Sequence, residues 1–178
     1  MGTPQGPIPE RIYESGMTEY KRFMDKKENK ERLESRLRKN GFCLKDVPAD
    51  GNCQFYSISD QIYGDITHAD EIRCATTEWL RSNSYKEIDG TPLCCFISDE
   101  TWDEYCDKIG RNGTWGDHMT LVAMANVYNL KIMIISSVRG DNYITEVYPD
   151  PPLQGREPPR KITISHFAES HYGSVVPL

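Results

Sequence analysis

The chain has 178 residues, of which 38% are hydrophobic and 27% charged, a composition typical of an ordinary water-soluble domain with one sizeable core. No apolar run approaches the roughly 18 residues that suggest a membrane span, and the N-terminus lacks the basic-then-apolar pattern of a signal peptide. We therefore expect no membrane association and a cytoplasmic location, with the nucleus as a second compartment.

The net charge of -6 is unevenly distributed along the chain. Residues 21–39 carry nine Lys and Arg against four Asp and Glu, a balance of +5, which leaves -11 for the rest of the chain. An acidic body argues against nucleic acid as a partner, because phosphate contacts need a basic surface. A cationic protein surface fits this charge distribution better.

The six cysteines are predicted to be reduced thiols, because a chain of this length builds a core without disulfide staples. No Cys-x-x-Cys or Cys-x-x-His pair occurs, so we expect no metal and no cofactor. A redox or metal role for the cysteines is the weakest hypothesis for their function. They are Cys43, Cys53, Cys74, Cys94, Cys95 and Cys106.

The N-terminal part of the chain divides into a tail and a long helix. Residues 1–8 are rich in Gly and Pro and are predicted to be a disordered tail or a remnant of cloning. Residues 9–39 are predicted to form one charged helix packed on the outside of the domain. Apolar residues at helical spacing give this helix a one-sided stripe: Tyr13, Met17, Tyr20, Met24, Leu33 and Leu37.

The rest of the chain alternates between helical and strand patterns. A short strand over 42–47 is followed by a turn and by a helix that begins at Cys53. Two further helices are predicted, one with Thr67 as N-cap and one over 99–109 with Ser98 as N-cap, and Asp117 is predicted to begin a fourth. The remaining predicted strands are 130–135 at the centre of a sheet, 143–148 as its hairpin partner, and 161–165 and 171–176 after a proline-rich loop.

The position of Cys53 favours nucleophilic chemistry. A thiol ionises most readily at the start of a helix after a Gly-containing turn, because free backbone N–H groups and the helix dipole stabilise the thiolate. The same N–H groups, around Gly51, Asn52 and Cys53, can bind a developing oxyanion. The alternative is that Cys53 is an ordinary buried small hydrophobic residue.

A thiol nucleophile also needs a base, and four histidines are available. His171 lies on a predicted strand between small residues that leave room for a substrate, whereas His68 and His118 lie at helix starts and are predicted to be surface residues. His171 can equally be a structural histidine, and Asp50 alone is most simply a turn former. Spacing by itself leaves both alternatives open.

Three ordered segments carry a more specific signal. Residues 50–57, DGNCQFYS, resemble the D-G-N-C-x-F-x-S signature of the OTU (ovarian tumour) cysteine proteases, a family of deubiquitinases. Residues 113–118, GTWGDH, followed by an apolar helix and a strand, and the terminal segment 165–174, SHFAESHYGS, match in the same order. The resemblance covers residues 40–177 and is strongest to the small plant-type OTU proteins.

The resemblance implies that Cys53 is the nucleophile, that His171 is its general base and that Asp50 is the acidic residue of the turn. The backbone from Asp50 through Gly51 and Asn52 to Cys53 would form the oxyanion hole. Many relatives carry Asn or Asp two residues after the histidine to orient the imidazole, whereas this chain has Gly173. Either Asp50, a backbone carbonyl or a water then supplies the acceptor, or the enzyme is slow until substrate binds. We favour Asp50, whose alternative role is to shape the oxyanion turn.

For the fold, the resemblance implies α/β (α+β) architecture: one OTU-like domain over residues 40–178, with a small mixed sheet between helices. For the function, it implies thiol-dependent hydrolysis of the bond after the C-terminal glycine of ubiquitin. Ubiquitin, polyubiquitin chains and ubiquitin-like modifiers are the expected partners of a monomer.

Trp115 and Tyr172 are candidate walls of the substrate channel, although Trp115 is equally a candidate core anchor. The alternative function is a catalytically weak or silent OTU fold that binds ubiquitin, which Gly173 would explain.

Overall fold

A computed structural model describes residues 10–151, 155, 157–168 and 170–178, with side chains from residue 18 onward. Within these residues the helices are α1 (Glu10–Lys39), α2 (Cys53–Tyr63), α3 (Ala69–Ser82), α4 (Trp102–Ile109) and α5 (His118–Val127). The strands are β1 (Phe42–Lys45), β2 (Glu87–Ile88), β3 (Thr91–Pro92), β4 (Leu130–Ser136), β5 (Ile144–Val147), β6 (Arg160–Phe167) and β7 (His171–Pro177).

The main sheet has the strand order β1-β7-β6-β4-β5. The pairing of β4 with β6 is parallel and the other pairings are antiparallel, so the predicted mixed sheet and α/β class are confirmed. Strand β4 is covered on both faces, as its apolar sequence predicts, because Ile132 and Ile134 face one hydrophobic cluster and Ile135 faces another. The middle strand, however, is β6, with β4 beside it.

Helix α2 lies on the larger of these clusters, and this packing fixes the start of the helix. Phe55 and Ile58 are fully buried against residues of β4 and β6. The helix ends at Gly64, which adopts φ +83°, a left-handed conformation that glycine reaches without strain. A helix anchored this deeply holds its first residue, Cys53, at a fixed place near the end of the sheet.

Helix α1 packs on the opposite face of the sheet through its C-terminal half. Leu33 and Leu37 are buried with residues of β4 and β7. The predicted stripe is wrong at Tyr20, which is 61% exposed, and the side chains of Tyr13 and Met17 lie outside the described residues. The helix has 30 residues and is about 45 Å long, and its side chains at residues 18–23 are exposed.

The observed helix starts confirm one of the three predicted N-caps. Asp117 caps α5 with its side chain, as predicted. Thr67 is wrong, because α3 begins at Ala69 and the Thr67 hydroxyl instead donates to the carboxylate two residues earlier. Ser98 is also wrong, since Thr101 caps α4 in a capping box.

In the part of the chain that is described, no helix combines the length and apolarity needed to span a membrane.

The proposed division of the chain at residue 40 stays a prediction, and residues 1–8 lie outside the described residues. Most of the proline-rich loop is described, except residues 152–154 and 156.

Candidate active site

The turn before α2 is held against a second loop, which contains residues 110–116. Gly51 adopts φ +87°, and a Cβ atom at this residue would lie 1.9 Å from the carbonyl oxygen of Gly113. The Asn52 side-chain oxygen accepts a hydrogen bond from the Gly113 N–H at 3.0 Å. The turn therefore requires glycine at position 51, both for its backbone conformation and for this close approach.

Cys53 is the first residue of α2 and is buried, with 8% of the residue exposed. Burial raises the pKa of this thiol above its ordinary value, although backbone N–H groups of Tyr172, Gln54 and Cys53 oppose the shift. The Tyr172 N–H donates to the sulfur at 3.4 Å. The expectation of a readily ionised thiol is wrong for the free protein, because burial outweighs the helix N-terminus.

His171 and Cys53 line one cavity of about 210 Å³ at the end of the sheet. His171 begins β7 and directly precedes Tyr172, whose N–H contacts the Cys53 sulfur. The structure therefore brings together the thiol and the histidine that the sequence selected. The other lining residues are Trp115, Gly116, His166, Ser170 and Tyr172.

The imidazole of His171 is held by a carboxylate that the sequence analysis missed. Nε2 of His171 lies 2.8 Å from Oδ1 of Asp46, the residue that follows β1. Since β1 pairs with β7, the end of one strand lies beside the start of the other. With Nε2 bound to Asp46, Nδ1 is the ring nitrogen left for the thiol.

Asp50 does not contact His171, so the favoured interpretation of its role is wrong. Its carboxylate accepts hydrogen bonds from the Tyr56 hydroxyl at 2.8 Å and from the Asn52 N–H at 3.1 Å. The bond from Tyr56 is the main cause of the lowered pKa of Asp50. Asp50 therefore stabilises the turn. Its carboxylate also occupies the Asn52 N–H, one of the donors predicted for the oxyanion hole. The Cys53 N–H is one of the first N–H groups of α2, which have no acceptor within the helix, and it interacts with the thiol of its own residue.

An orienting side chain of the kind that many relatives carry could occupy position 173 only if neighbouring side chains shifted. A Cβ atom there would lie 2.6 Å from Oγ of Ser165 and 3.3 Å from Cδ1 of Leu44. Because β7 lies between β1 and β6, side chains of these two strands fill the space that an orienting side chain at position 173 would occupy.

The two predicted channel residues have different environments. Trp115 is 61% exposed at the edge of the cavity, so it is not a core anchor. Tyr172 is partly buried against the main hydrophobic cluster, and burial raises its pKa. Its ring lies 4.8 Å from that of His166, measured between centroids.

His166 is a second histidine in the cavity that the sequence analysis did not select. Nδ1 of His166 lies 2.9 Å from Oγ of Ser136, and burial lowers the pKa of the imidazole. A lowered pKa keeps this ring neutral at pH 7. No spacing signal marks it, because it enters the cavity only through the pairing of β6 with β7, in which it lies opposite Tyr172.

The remaining cysteines are free thiols, and none of those described lines the cavity that contains Cys53. Within the described ranges, no cluster of three or more His, Cys, Asp or Glu side chains is arranged to hold a metal ion.

Comparison with known proteins agrees with this geometry. A family model described as OTU-like cysteine protease matches residues 48–172. Among solved structures, the OTU domain of OTUD1 superimposes with a TM-score of 0.64 and 21% identity, covering 82% of this chain and 93% of that one. The Hazara virus OTU bound to ubiquitin gives a TM-score of 0.56 and 17% identity, covering 77% and 82%. Identities this low show the similarity of fold.

Two Arabidopsis thaliana relatives are more similar in sequence. The ovarian tumor domain-containing deubiquitinating enzyme 10 is 33% identical over 145 residues, which cover 82% of this chain and 37% of the relative. Enzyme 12 of the same series is 32% identical over 145 residues, covering 82% and 61%. This chain thus spans less than two thirds of either relative. With the family model matching more than half of its length, the chain belongs to the family of OTU-like cysteine proteases.

Proposed function

We propose that this chain is a deubiquitinase that hydrolyses the isopeptide or peptide bond after the C-terminal glycine of ubiquitin. The observation that carries the proposal is that Cys53, at the start of a helix, and His171 line one cavity, while Asp46 holds the imidazole of His171. A buried thiol beside an oriented imidazole is the arrangement of a cysteine hydrolase. Ubiquitin as the substrate is supported by the names of the Arabidopsis relatives, which call them deubiquitinating enzymes, and by the ubiquitin-bound OTU structures.

The reaction begins with a neutral thiol, because the pKa of Cys53 is raised by burial. Nδ1 of His171 takes the thiol proton while the sulfur attacks the carbonyl carbon of the terminal glycine, forming the carbon–sulfur bond. The electron pair of the carbonyl moves to its oxygen, and the Cys53 N–H at the start of α2 stabilises this oxyanion. The same backbone region that binds the oxyanion thus belongs to the element that carries the nucleophile.

The tetrahedral intermediate collapses when His171 returns its proton to the leaving amine. The carbon–nitrogen bond breaks, the lysine amine departs and a thioester of Cys53 remains. His171 then removes a proton from water, the resulting hydroxide attacks the thioester, and Cys53 leaves as the thiol after accepting that proton. Asp46 holds Nε2 throughout, which keeps Nδ1 directed at the reacting atoms.

We propose that this cavity, about 210 Å³ in volume, receives a substrate tail without side chains. Gly116 lines it, and a Cβ atom there would collide with the buried Gln54, since it would lie 2.1 Å from Oε1 of that residue. We assign Trp115 and Tyr172 to the sides of the channel that receives the Gly-Gly tail of ubiquitin. Such a channel excludes larger residues by contact rather than by charge.

The alternative of a silent ubiquitin-binding module rested on the missing acceptor at Gly173. Asp46 supplies an acceptor for the same imidazole, so no observation favours the silent module over the enzyme. We also propose that the protein acts as a monomer in the cytoplasm or nucleus, on ubiquitin chains or related modifiers. Its free thiols suit a reducing compartment.

The test is cleavage of ubiquitin chains by the wild-type chain and by single Cys-to-Ala variants. We expect Cys53→Ala to lose all cleavage, because it removes the attacking sulfur. Cys74→Ala and Cys106→Ala are matched controls, since each removes one thiol from a helix outside the cavity, and they should cleave as the wild type does. Full activity in Cys53→Ala would disprove the proposal.

A further inference from the structure

Arg73 is a buried arginine whose partners all lie at the rear of the candidate active site. It is on α3 and is 4% exposed, although charged side chains are seldom buried without a partner. Its guanidinium lies over the ring of Phe55, with Cζ 4.1 Å from the ring centroid. Phe55 is two residues after Cys53 on α2, so the stacking places the charge directly behind the start of that helix.

The guanidinium donates to four oxygens from three segments of the chain. Nη1 donates to the carbonyl oxygens of Ile109 at 2.8 Å and Thr114 at 2.9 Å. Nη2 donates to the side-chain oxygen of Asn52 at 2.6 Å and, at a longer 3.4 Å, to the carbonyl oxygen of Gly51. These acceptors are carbonyl and amide oxygens rather than carboxylates, so the planar fork of donors matters here more than charge pairing.

Asn52 links this arginine to the loop against which the turn packs. The side-chain oxygen of Asn52 accepts hydrogen bonds from both Arg73 and the Gly113 N–H. These two bonds fix the position of Asn52 between Gly51 and Cys53. The direction of the Cys53 N–H follows from the backbone of this turn. Donors aimed at a developing oxyanion must keep their geometry, since a misplacement of about 1 Å can cost about 100-fold in rate.

We propose that Arg73 is a positioning residue that holds the oxyanion-binding turn in its catalytic geometry through Asn52 and Gly51. The inference rests on the proposed hydrolysis at Cys53 and adds to it a group that touches neither substrate nor sulfur. Its role is to align the backbone N–H at Cys53, so its loss weakens stabilisation of the tetrahedral intermediate. Ground-state binding of ubiquitin and the reactivity of the thiol itself do not depend on that alignment.

The experiment compares Arg73→Lys with Arg81→Lys, the same change on the same helix. Arg81 lies about two helical turns after Arg73 and bonds to Asp107 at the surface, and among the described residues it makes no hydrogen bond to the turn before α2. Three quantities are measured: kcat and KM with ubiquitin carrying a C-terminal fluorogenic amide, the rate of Cys53 alkylation by iodoacetamide, and Tm. Iodoacetamide reacts at a saturated carbon without an oxyanion, so its rate reports on the thiol alone.

We expect Arg73→Lys to lower kcat by about 10- to 100-fold, since one ammonium cannot span the four acceptors. KM and the alkylation rate should stay within about threefold of wild type, and Arg81→Lys should match wild type in all three. Asn52→Ala breaks the same link while leaving the bonds of Arg73 to Ile109 and Thr114, and it should show the same kcat-selective loss.

The proposal is overturned if Arg73→Lys keeps the kcat of Arg81→Lys, or if KM and the alkylation rate change as much as kcat does. If Arg73→Lys does not fold, Asn52→Ala decides by the same criteria. A wild-type chain that does not release the fluorophore would instead disprove the proposed hydrolysis, so the two failures are distinguishable.

Discussion

Replacing Asp46 by alanine tests the contact that completes the site. The Asp46 side chain is 72% exposed, whereas that of His171 is 20% exposed, so one partner of the pair faces water. Once His171 has taken the thiol proton, it and Asp46 carry opposite unit charges. Such charges 4 Å apart gain about 1 kcal/mol in water and about 4 kcal/mol near a protein surface, and the exposure of Asp46 places this pair toward the lower figure. Loss of the carboxylate also frees the imidazole to rotate and to change tautomer.

We therefore expect Asp46→Ala to lower kcat/KM by about 10- to 100-fold, equivalent to about 1.4 to 2.7 kcal/mol. This is less than the roughly 10⁴-fold loss when the buried acid of a serine protease triad is replaced by its amide. Asp46→Asn retains an oxygen that accepts from Nε2 and should lie within about tenfold of wild type. Both enzymes are assayed at pH 7 with a ubiquitin C-terminal fluorogenic substrate.

The matched control is Glu71→Ala. Glu71 accepts a similar surface contact from Nδ1 of His68, at 3.2 Å, away from the cavity, and its removal should leave kcat/KM unchanged. Exposed ion pairs contribute at most about 1 kcal/mol to stability, so neither variant should unfold. Wild-type kcat/KM in Asp46→Ala would refute the reasoning, because His171 would then be oriented by another group.

Three further outcomes follow from the structure. Gly173→Asn should lower Tm and turnover, because its Cβ would lie 2.6 Å from Oγ of Ser165, and increased turnover would contradict this packing argument. In His171→Ala, the midpoint of the pH profile of Cys53 alkylation should lie above the pKa of an ordinary thiol, about 8.5, because burial raises the pKa of Cys53, whereas a midpoint at or below that value would contradict the raised pKa. KM for ubiquitin should rise between 0.1 and 1 M salt if the acidic body steers a basic partner, since the Debye length falls from about 10 Å to about 3 Å, and a flat KM would indicate apolar docking.

The parts of the site that the sequence predicted depend on local chemistry. The turn from Asp50 to Cys53 needs glycine at 51 and begins a helix with an apolar face, and both features are visible within a dozen residues. Asp117 was predicted as an N-cap for the same reason, since a cap and its helix are adjacent in sequence. These local rules act before any long-range contact is specified.

The parts that the sequence did not predict depend on which distant segments meet. Arg73 is one residue after the fully buried Ile72, and a charged residue in an amphipathic helix is ordinarily assigned to the solvent face. Arg73 is buried because its acceptors lie in the loop between α4 and α5 and in the turn before α2. No local sequence pattern predicts that these two segments meet. The same holds for the pKa of Cys53, because the helix start favours ionisation and only the tertiary packing supplies the burial that outweighs it.

Asp46 and Gly173 are best understood as one feature of the β1–β7 pair. The antiparallel register pairs Lys45 with Ser174, and one further step along it places Asp46 opposite Gly173. The acceptor that many relatives carry on the histidine's own strand is thus supplied here by the neighbouring strand, at the cross-strand position. A Cβ atom at 173 would lie 2.6 Å from Oγ of Ser165 on β6 and 3.3 Å from Cδ1 of Leu44 on β1, so glycine leaves these two side chains in place while the Asp46 carboxylate reaches Nε2 of His171 from the end of β1. The glycine that suggested a weakened site thus lies opposite the residue that supplies the acid.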